Sequence, residues 1–454
     1  MSLPNLPAHD HATADLVQFL EFPSVSTDPA HAQDTANCAD WLVRKLKGIG
    51  LQAETHATAG HPIVVARNTH REGRPMVMIY GHYDVQPADP LDLWETPPFQ
   101  PRIDDQGVVF ARGSTDNKGQ ILAHIIGVQQ AIAEEGDVPV NLIFLIEGEE
   151  EIGSPNLKPF LEAQKDALKS DLVAVSDTGM VGRGVPTFTY GLRGIAALEV
   201  RLTGPSVDLH SGIYGGAVAN PATAIARLVA TLHDADGKVA IKGFYDDVRD
   251  VEDWERKAWQ ELPITDDVLL GLTGSPELFG EKGYLALERC YARPTAEVNG
   301  IGSGYQGEGS KTIIPAKAMV KLTFRLVPDQ DPANILQLAV AHLREHLPPG
   351  VEVSFYLGHS GNPYVADPHS KAGEAAQRAL RATFPGAEPA LIREGGSIPI
   401  VQAFKDVLGV DTLLLGLALP DCRAHSPNEN FPLENFRAGS VLNRHLLKEL
   451  AAGI

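Results

Sequence analysis

With 454 residues and a net charge of −20, the chain is long enough for more than one hydrophobic core and too acidic to present a phosphate-binding surface, which excludes nucleic acid as a partner. Cys38, Cys290 and Cys422 are an odd set that suits free thiols in a reducing compartment rather than a disulfide framework. Met1 to Ala14 is polar and lacks the segments of a signal peptide, and no run reaches the roughly 18 to 20 apolar residues of a membrane span, so a cytoplasmic protein away from membranes is expected.

Helices are predicted over residues 14–21 and 35–49; in the second, Cys38, Leu42, Leu46 and Ile49 share one face and Gly50 ends it. Ile63 to Ala66 and Met76 to Tyr80 read as apolar strands covered on both faces, the second running into His82. Ile121, Leu122, Ile125, Val128 and Ile132 follow helical spacing, and Val140 to Ile146 and Leu172 to Val175 are again strands. This alternation predicts an α/β domain with a mainly parallel sheet and helices on both faces. Acids follow the strand ends, in Glu147-Gly-Glu149-Glu150-Glu151 and at Asp177. In such sheets the binding crevice lies beyond the carboxyl ends of the strands, so these groups and His82 are expected to converge there.

After Tyr190 the pattern changes to one-wet-face alternation, as in Leu198, Val200 and Leu202 and in Val320, Leu322, Phe324 and Leu326. Helices are predicted from Asn220-Pro221 and over residues 334–347, and a strand over Val351 to Leu357. These make an inserted α+β unit, a small antiparallel sheet with two helices on one face; residues 236–295 are an acidic insertion with no assigned role. The α/β pattern returns near Pro363, with a helix over 371–383, the glycine-bearing loop Glu394-Gly-Gly-Ser397 and a strand over Thr412 to Leu419 that feeds His425. The expected organisation is a catalytic domain of residues 1–188 and 363–454, interrupted by a lid or dimerisation domain of residues 189–362.

The chemistry-bearing candidates are His82, Asp116, Glu150 or Glu151, Asp177 and His425. A His-x-Asp spacing, as in His82-x-Asp84, puts both side chains on one side of an extended segment, where the acid can bind a metal or orient the ring. Two imidazoles and three carboxylates suit zinc, with manganese or cobalt possible. Five ligands exceed one tetrahedral ion, but two divalent ions sharing a carboxylate would each keep three ligands and leave room for a hydrolytic water.

The chain resembles the aminoacylase/carnosinase-type metallopeptidases, and most of all cytosolic nonspecific dipeptidases. The likeness rests on Gly81-His-Tyr-Asp-Val-Gln-Pro, Arg112-Gly-Ser-Thr-Asp-Asn-Lys-Gly, Glu150-Glu-Ile-Gly-Ser, Tyr190-Gly-Leu-Arg-Gly, Asp208-Leu-His-Ser-Gly, Arg325-Leu-Val-Pro, Arg393-Glu-Gly-Gly-Ser-Ile-Pro and Ala424-His-Ser-Pro-Asn-Glu. The resemblance implies metal-dependent hydrolysis of dipeptides or short peptides. It implies that His82 and Asp177 hold one ion, Glu151 and His425 the other, that Asp116 bridges them, and that Asp84 orients His82. Glu150 would be the general base, with Glu149/Glu150 as the competing register, and a cis peptide would follow Asp116. It further implies a homodimer in which His210 reaches the partner subunit's active site to stabilise the oxyanion, while Arg325, Gly396 and Ser397 bind the substrate carboxylate. An N-acyl amino acid amidohydrolase with the same site is the alternative, and a noncatalytic metal-binding scaffold is the reading from another class.

Overall fold

The computed structural model describes residues 11–396 and 398–454. The described chain forms two compact units, one of residues 11–190, 366–392 and 403–454 and the other of 191–365 with 393–402, of which 397 is not described.

The first unit is built on a sheet that includes, in order, the strands Gln52–His56, Ile63–Arg67, Asn141–Glu147, Met76–His82, Leu172–Val175 and Thr412–Leu414, the last pairing antiparallel at Leu414 with Thr189 of the strand Thr187–Leu192. Neighbours from Asn141–Glu147 to Thr412–Leu414 pair in parallel, but Gln52–His56 pairs antiparallel with Ile63–Arg67, which in turn pairs antiparallel with Asn141–Glu147. The sheet is therefore mixed, with a parallel centre and antiparallel margin, where the sequence predicted a mainly parallel one. Strands buried on both faces carry no alternation that reports direction. Gln52–His56, with a single apolar residue, was not predicted at all.

Helix Lys118–Glu135 is buried all round over its first eleven residues. It packs between the sheet and the helix Leu433–Ala451. A Cβ at Gly127 would fall 2.5 Å from the Ser440 carbonyl oxygen, so the helices approach closely because this residue is glycine. The predicted strand over Thr412 to Leu419 stops at Leu414. Beyond it main-chain pairing is reduced to Leu415 N donating to Val175 O and the isolated bridge between Ala418 and Gly179, and side chains take other groups: Ser176 Oγ donates to Leu415 O, Leu417 N donates to Gln120 Oε1, and Asn435 Nδ2 donates to Leu417 O.

The second unit holds a four-stranded antiparallel sheet in the order Thr295–Ser303, Lys317–Leu326, Gly194–Thr203, Glu352–Gly361. Leu198, Val200, Leu202, Val320, Leu322 and Phe324 share a core with Ile225 and Leu228 of helix Pro221–Ala230 and Ile335 and Leu343 of helix Pro332–Glu345. Asn220 caps the first of these helices, its Oδ1 accepting from Ala222 N, as the Asn-Pro start predicted. The unassigned insertion contains the short helices Asp253–Gln260, Asp266–Thr273 and Ala286–Tyr291. The three cysteines are free thiols. No helix among the described residues is long and apolar enough to cross a membrane.

Behind the parallel strands, His124 is buried with Nε2 2.8 Å from Ser176 Oγ and Nδ1 2.8 Å from Asn443 Nδ2. Ser176 gives its proton to Leu415 O, so Nε2 donates to Ser176 and Nδ1 accepts from Asn443, which makes the ring neutral. Burial accordingly pushes its pKa down to about 4 from 6.5. Between those values only the unfolded chain takes up the proton, so stability falls as pH drops through this window. In metal-free protein, urea titrations should show the stability of wild type relative to His124→Gln declining by on the order of 3 kcal/mol from pH 6.5 to 4. A difference that did not change with pH would mean that the folded protein protonates His124.

Candidate metal centre

His82 ends the strand Met76–His82 and is fully buried. Its Nδ1 lies 3.0 Å from the main-chain oxygen of Asp84 and 3.3 Å from Asp84 Oδ1. A proton on Nδ1 satisfies that contact and leaves Nε2 as the nitrogen turned to the carboxylates, where a cation would take the place of a second ring proton, an assignment inferred from the bonding. Nε2 points to Asp116 Oδ1 at 3.2 Å and Asp177 Oδ1 at 3.7 Å. The Asp84 carboxylate accepts from the amides of Glu150 at 3.2 Å and Glu151 at 3.1 Å, so one buried residue holds both the imidazole and the turn that carries the glutamates.

Asp116 stands just before the core helix, and its second oxygen, Oδ2, lies 2.9 Å from His425 Nε2. His425 Nε2 is also 3.4 Å from Glu151 Oε2. Two triads result, His82–Asp116–Asp177 and Asp116–Glu151–His425, each offering three ligand atoms within 4.8 Å of one another. Asp116 belongs to both. The Asp116–Asn117 peptide is cis. Asn117 Nδ2 donates to Ser176 O at 2.6 Å and Asp177 Oδ1 at 2.8 Å, while its Oδ1 accepts from His82 N at 3.3 Å.

Of the three adjacent glutamates, Glu149 is turned to Asn156, whose Nδ2 donates to it at 2.7 Å, and Glu151 is the one in a triad. Gln86 Nε2 donates to Glu151 Oε2 at 2.8 Å, whereas Glu151 Oε1 is buried without a hydrogen-bond partner. A buried carboxylate oxygen left unmatched beside two other ligand atoms is what a cation would satisfy.

The electrostatics agree with that fit. Burial pushes the Glu150 carboxyl well above its ordinary range, opposed by His82 and reinforced by Asp177, Asp116 and Glu151. Burial likewise raises Glu151, to about 8, and Asp177. Asp116 goes the other way: burial disfavours its charge, yet hydrogen bonds from His425 and His82 hold it below the usual carboxylate range. His82 is pushed up despite its burial by Asp177, Asp116 and Asp84, and His425 rises to about 8, chiefly through its bond to Asp116. Left to itself, the cluster gathers protons to balance its carboxylates. Divalent cations on mixed imidazole and carboxylate ligands would provide the same charge.

Glu429, Arg112, Asn117 and Gln86 had no role assigned from the sequence, although all four lie inside the motifs quoted for the resemblance. Their positions were visible; their partners were not. Burial pushes the Glu429 carboxyl up, but its oxygens face Arg112 Nη1 and the amides of Gly113, Thr115 and Asp116, four donors with no acceptor for a carboxyl proton. The charged form fits this pocket.

The other expected site residues lie on the second unit. His210 is exposed in the two-residue strand Leu209–His210, and its Nδ1 accepts from Gly212 N at 3.0 Å. Arg325 lies on Lys317–Leu326, half-buried, in register with Thr295 and Ile195. Gly396 is exposed after the strand Ala390–Glu394, and Ser397 lies outside the described residues.

An α/β unit that gathers two such triads at its strand ends defines a metal-dependent hydrolase. Residues 78–449 match the model of peptidase family M20/M25/M40, and the chain belongs to that family. It is 33% identical to the Cys-Gly metallodipeptidase dug1 of Schizosaccharomyces pombe over 98% of this chain and 96% of that protein. It is 31% identical to the Beta-Ala-His dipeptidase of Homo sapiens over 86% and 78% of the two chains. Among solved structures it is similar to the M20 metallo-carboxypeptidase Sso-CP2 from Sulfolobus solfataricus, with a TM-score of 0.86 and 32% identity over 98% of this chain and 100% of that one.

The glutamate assignment is testable on metal content alone. Glu151→Gln is expected to lower the divalent metal bound per chain, measured by plasma mass spectrometry after dialysis, while Glu149→Gln leaves it unchanged. The reverse pattern would put Glu149 in the site.

Proposed function

We propose that this chain hydrolyses the amide bond of dipeptides or short peptides bearing a free C-terminal carboxylate, with two divalent ions, zinc by preference. The observation that carries the reading is the Asp116 carboxylate, which turns one oxygen toward His82 and the other toward His425. His82 and Asp177 would hold one ion, Glu151 and His425 the other, and Asp116 both. When bound, the ions supply a water made nucleophilic near neutral pH and a polarised carbonyl.

The rest belongs to the protein. Glu150 takes the proton from the water and delivers it to the departing amine. Asp84 fixes the His82 ring and the Glu150–Glu151 turn together. In the inserted domain of residues 189–362, Arg325 binds the substrate carboxylate as a fork, with Gly396 and Ser397 assisting from the chain beyond. The protein acts as a homodimer, and His210 of the partner subunit stabilises the developing oxyanion; its exposure here leaves it available for that role. The Schizosaccharomyces pombe and Homo sapiens relatives are both dipeptidases, which supports the substrate class.

A panel of dipeptides, tripeptides and acetyl-amino acids, assayed with stripped protein refilled with zinc or manganese, tests the reading. Dipeptide cleavage is expected; turnover confined to acetyl-amino acids would make the chain a deacylase. Glu150→Gln should keep its metal and lose about 10²- to 10⁴-fold in kcat. Loss of metal in that variant would make Glu150 a ligand. His210→Ala should lower kcat by about 10²- to 10³-fold with metal content unaltered, and full turnover would remove His210 from the reaction.

A further inference from the structure

Glu429 is fully buried and lies four residues beyond His425, on the segment that completes the second triad. Its Oε2 accepts from Arg112 Nη1 at 2.9 Å and Gly113 N at 2.8 Å; its Oε1 accepts from Thr115 N at 2.8 Å and Asp116 N at 3.0 Å. Its main-chain oxygen accepts from Ala111 N at 3.1 Å, and Thr115 Oγ1 donates to Asn430 O at 2.9 Å. A loop is thus folded around a carboxylate that arrives from 313 residues away, and the residue at the end of that loop is Asp116.

The hydrolysis proposed above makes no use of this carboxylate. With two donors on each oxygen it has no lone pair left for an ion or a substrate. Arg112, equally buried, supplies the opposite charge and reaches on to Pro87 O at 3.2 Å, in the segment that also carries Gln86. We infer that Glu429, paired with Arg112, is a positioning residue: through the amides of Gly113, Thr115 and Asp116 it sets where the Asp116 carboxylate stands, and it ties that carboxylate to His425. The inference rests on the ligand assignment of the preceding section.

The need for an ionised glutamate follows from the donors. Glutamine has the same shape, but its NH2 would confront two N–H groups where the carboxylate presents an acceptor. Glu429→Gln therefore removes half of the clamp without opening a cavity. Because Asp116 belongs to both triads, displacing it weakens both ions, whereas loss of a ligand that serves one triad weakens one.

The test uses the full chain, stripped and then titrated with zinc by calorimetry against a competing chelator, and in parallel with cobalt(II) by visible absorption. Glu429→Gln should fold, bind both ions about 10- to 100-fold more weakly, give a changed cobalt spectrum, and lose kcat with little change in KM. A variant that melts earlier yet binds both ions with wild-type affinity and spectrum would overturn the inference. Glu429→Asp is the second variant, since it keeps the charge but withdraws it by one methylene: intermediate weakening of both ions is expected, and unaltered affinity would again overturn the inference. A wild-type chain that takes up no divalent ion would overturn the ligand assignment itself, a result distinct from wild-type binding that the Glu429 variants leave intact.

Discussion

Like charges at close quarters govern this structure. Asp116, Glu150, Glu151 and Asp177 converge with two imidazoles at the carboxyl ends of the parallel strands, and burial makes their mutual repulsion expensive. The Asp116 carboxylate is the hinge of the arrangement because each of its oxygens addresses a different histidine. In the reading proposed here, two cations resolve the repulsion and in doing so become the reactive centre. The feature that would destabilise a cation-free chain is the one that gives the chain its chemistry.

The scaffold accepts this cost by fixing each group from behind. The helix that follows Asp116 is buried all round over its first eleven residues, and glycine at position 127 lets it lie close against Ser440. Asn117 bridges His82, Ser176 and Asp177 with one side-chain amide. Asp84 serves the His82 ring and two glutamate amides, and Gln86 occupies one oxygen of Glu151 while leaving the other open. Most of these polar contacts involve a main-chain group, so the geometry of the site is carried largely by the backbone.

The sequence made some of this legible and hid the rest for definite reasons. The strand Leu172–Val175 could be read to the residue because a continuous apolar run is bounded on both sides by polar residues. Strand direction could not be read, since Ile63–Arg67 and Met76–His82 are alike apolar although one is antiparallel and the other parallel to Asn141–Glu147. Leu415 to Leu419 looked like more strand because burial was evident while several of its partners, the side chains of Ser176, Gln120 and Asn435, lie far off in sequence. At the site, acids placed after strands pointed to the cluster. Three adjacent glutamates left the register open; in the fold Asn156 donates to Glu149, and Glu151 stands in the second triad. Glu429 was hidden for the same reason as those distant partners: its place depends on main-chain donors contributed by a loop near the first quarter of the chain.

The most direct measurement is a crystal of the zinc-loaded protein, with anomalous difference maps recorded on either side of the zinc absorption edge. Two zinc peaks about 3.5 to 4 Å apart, with Asp116 between them, His82 and Asp177 on one and Glu151 and His425 on the other, are expected. A single peak, or two peaks that do not share Asp116, would contradict the account.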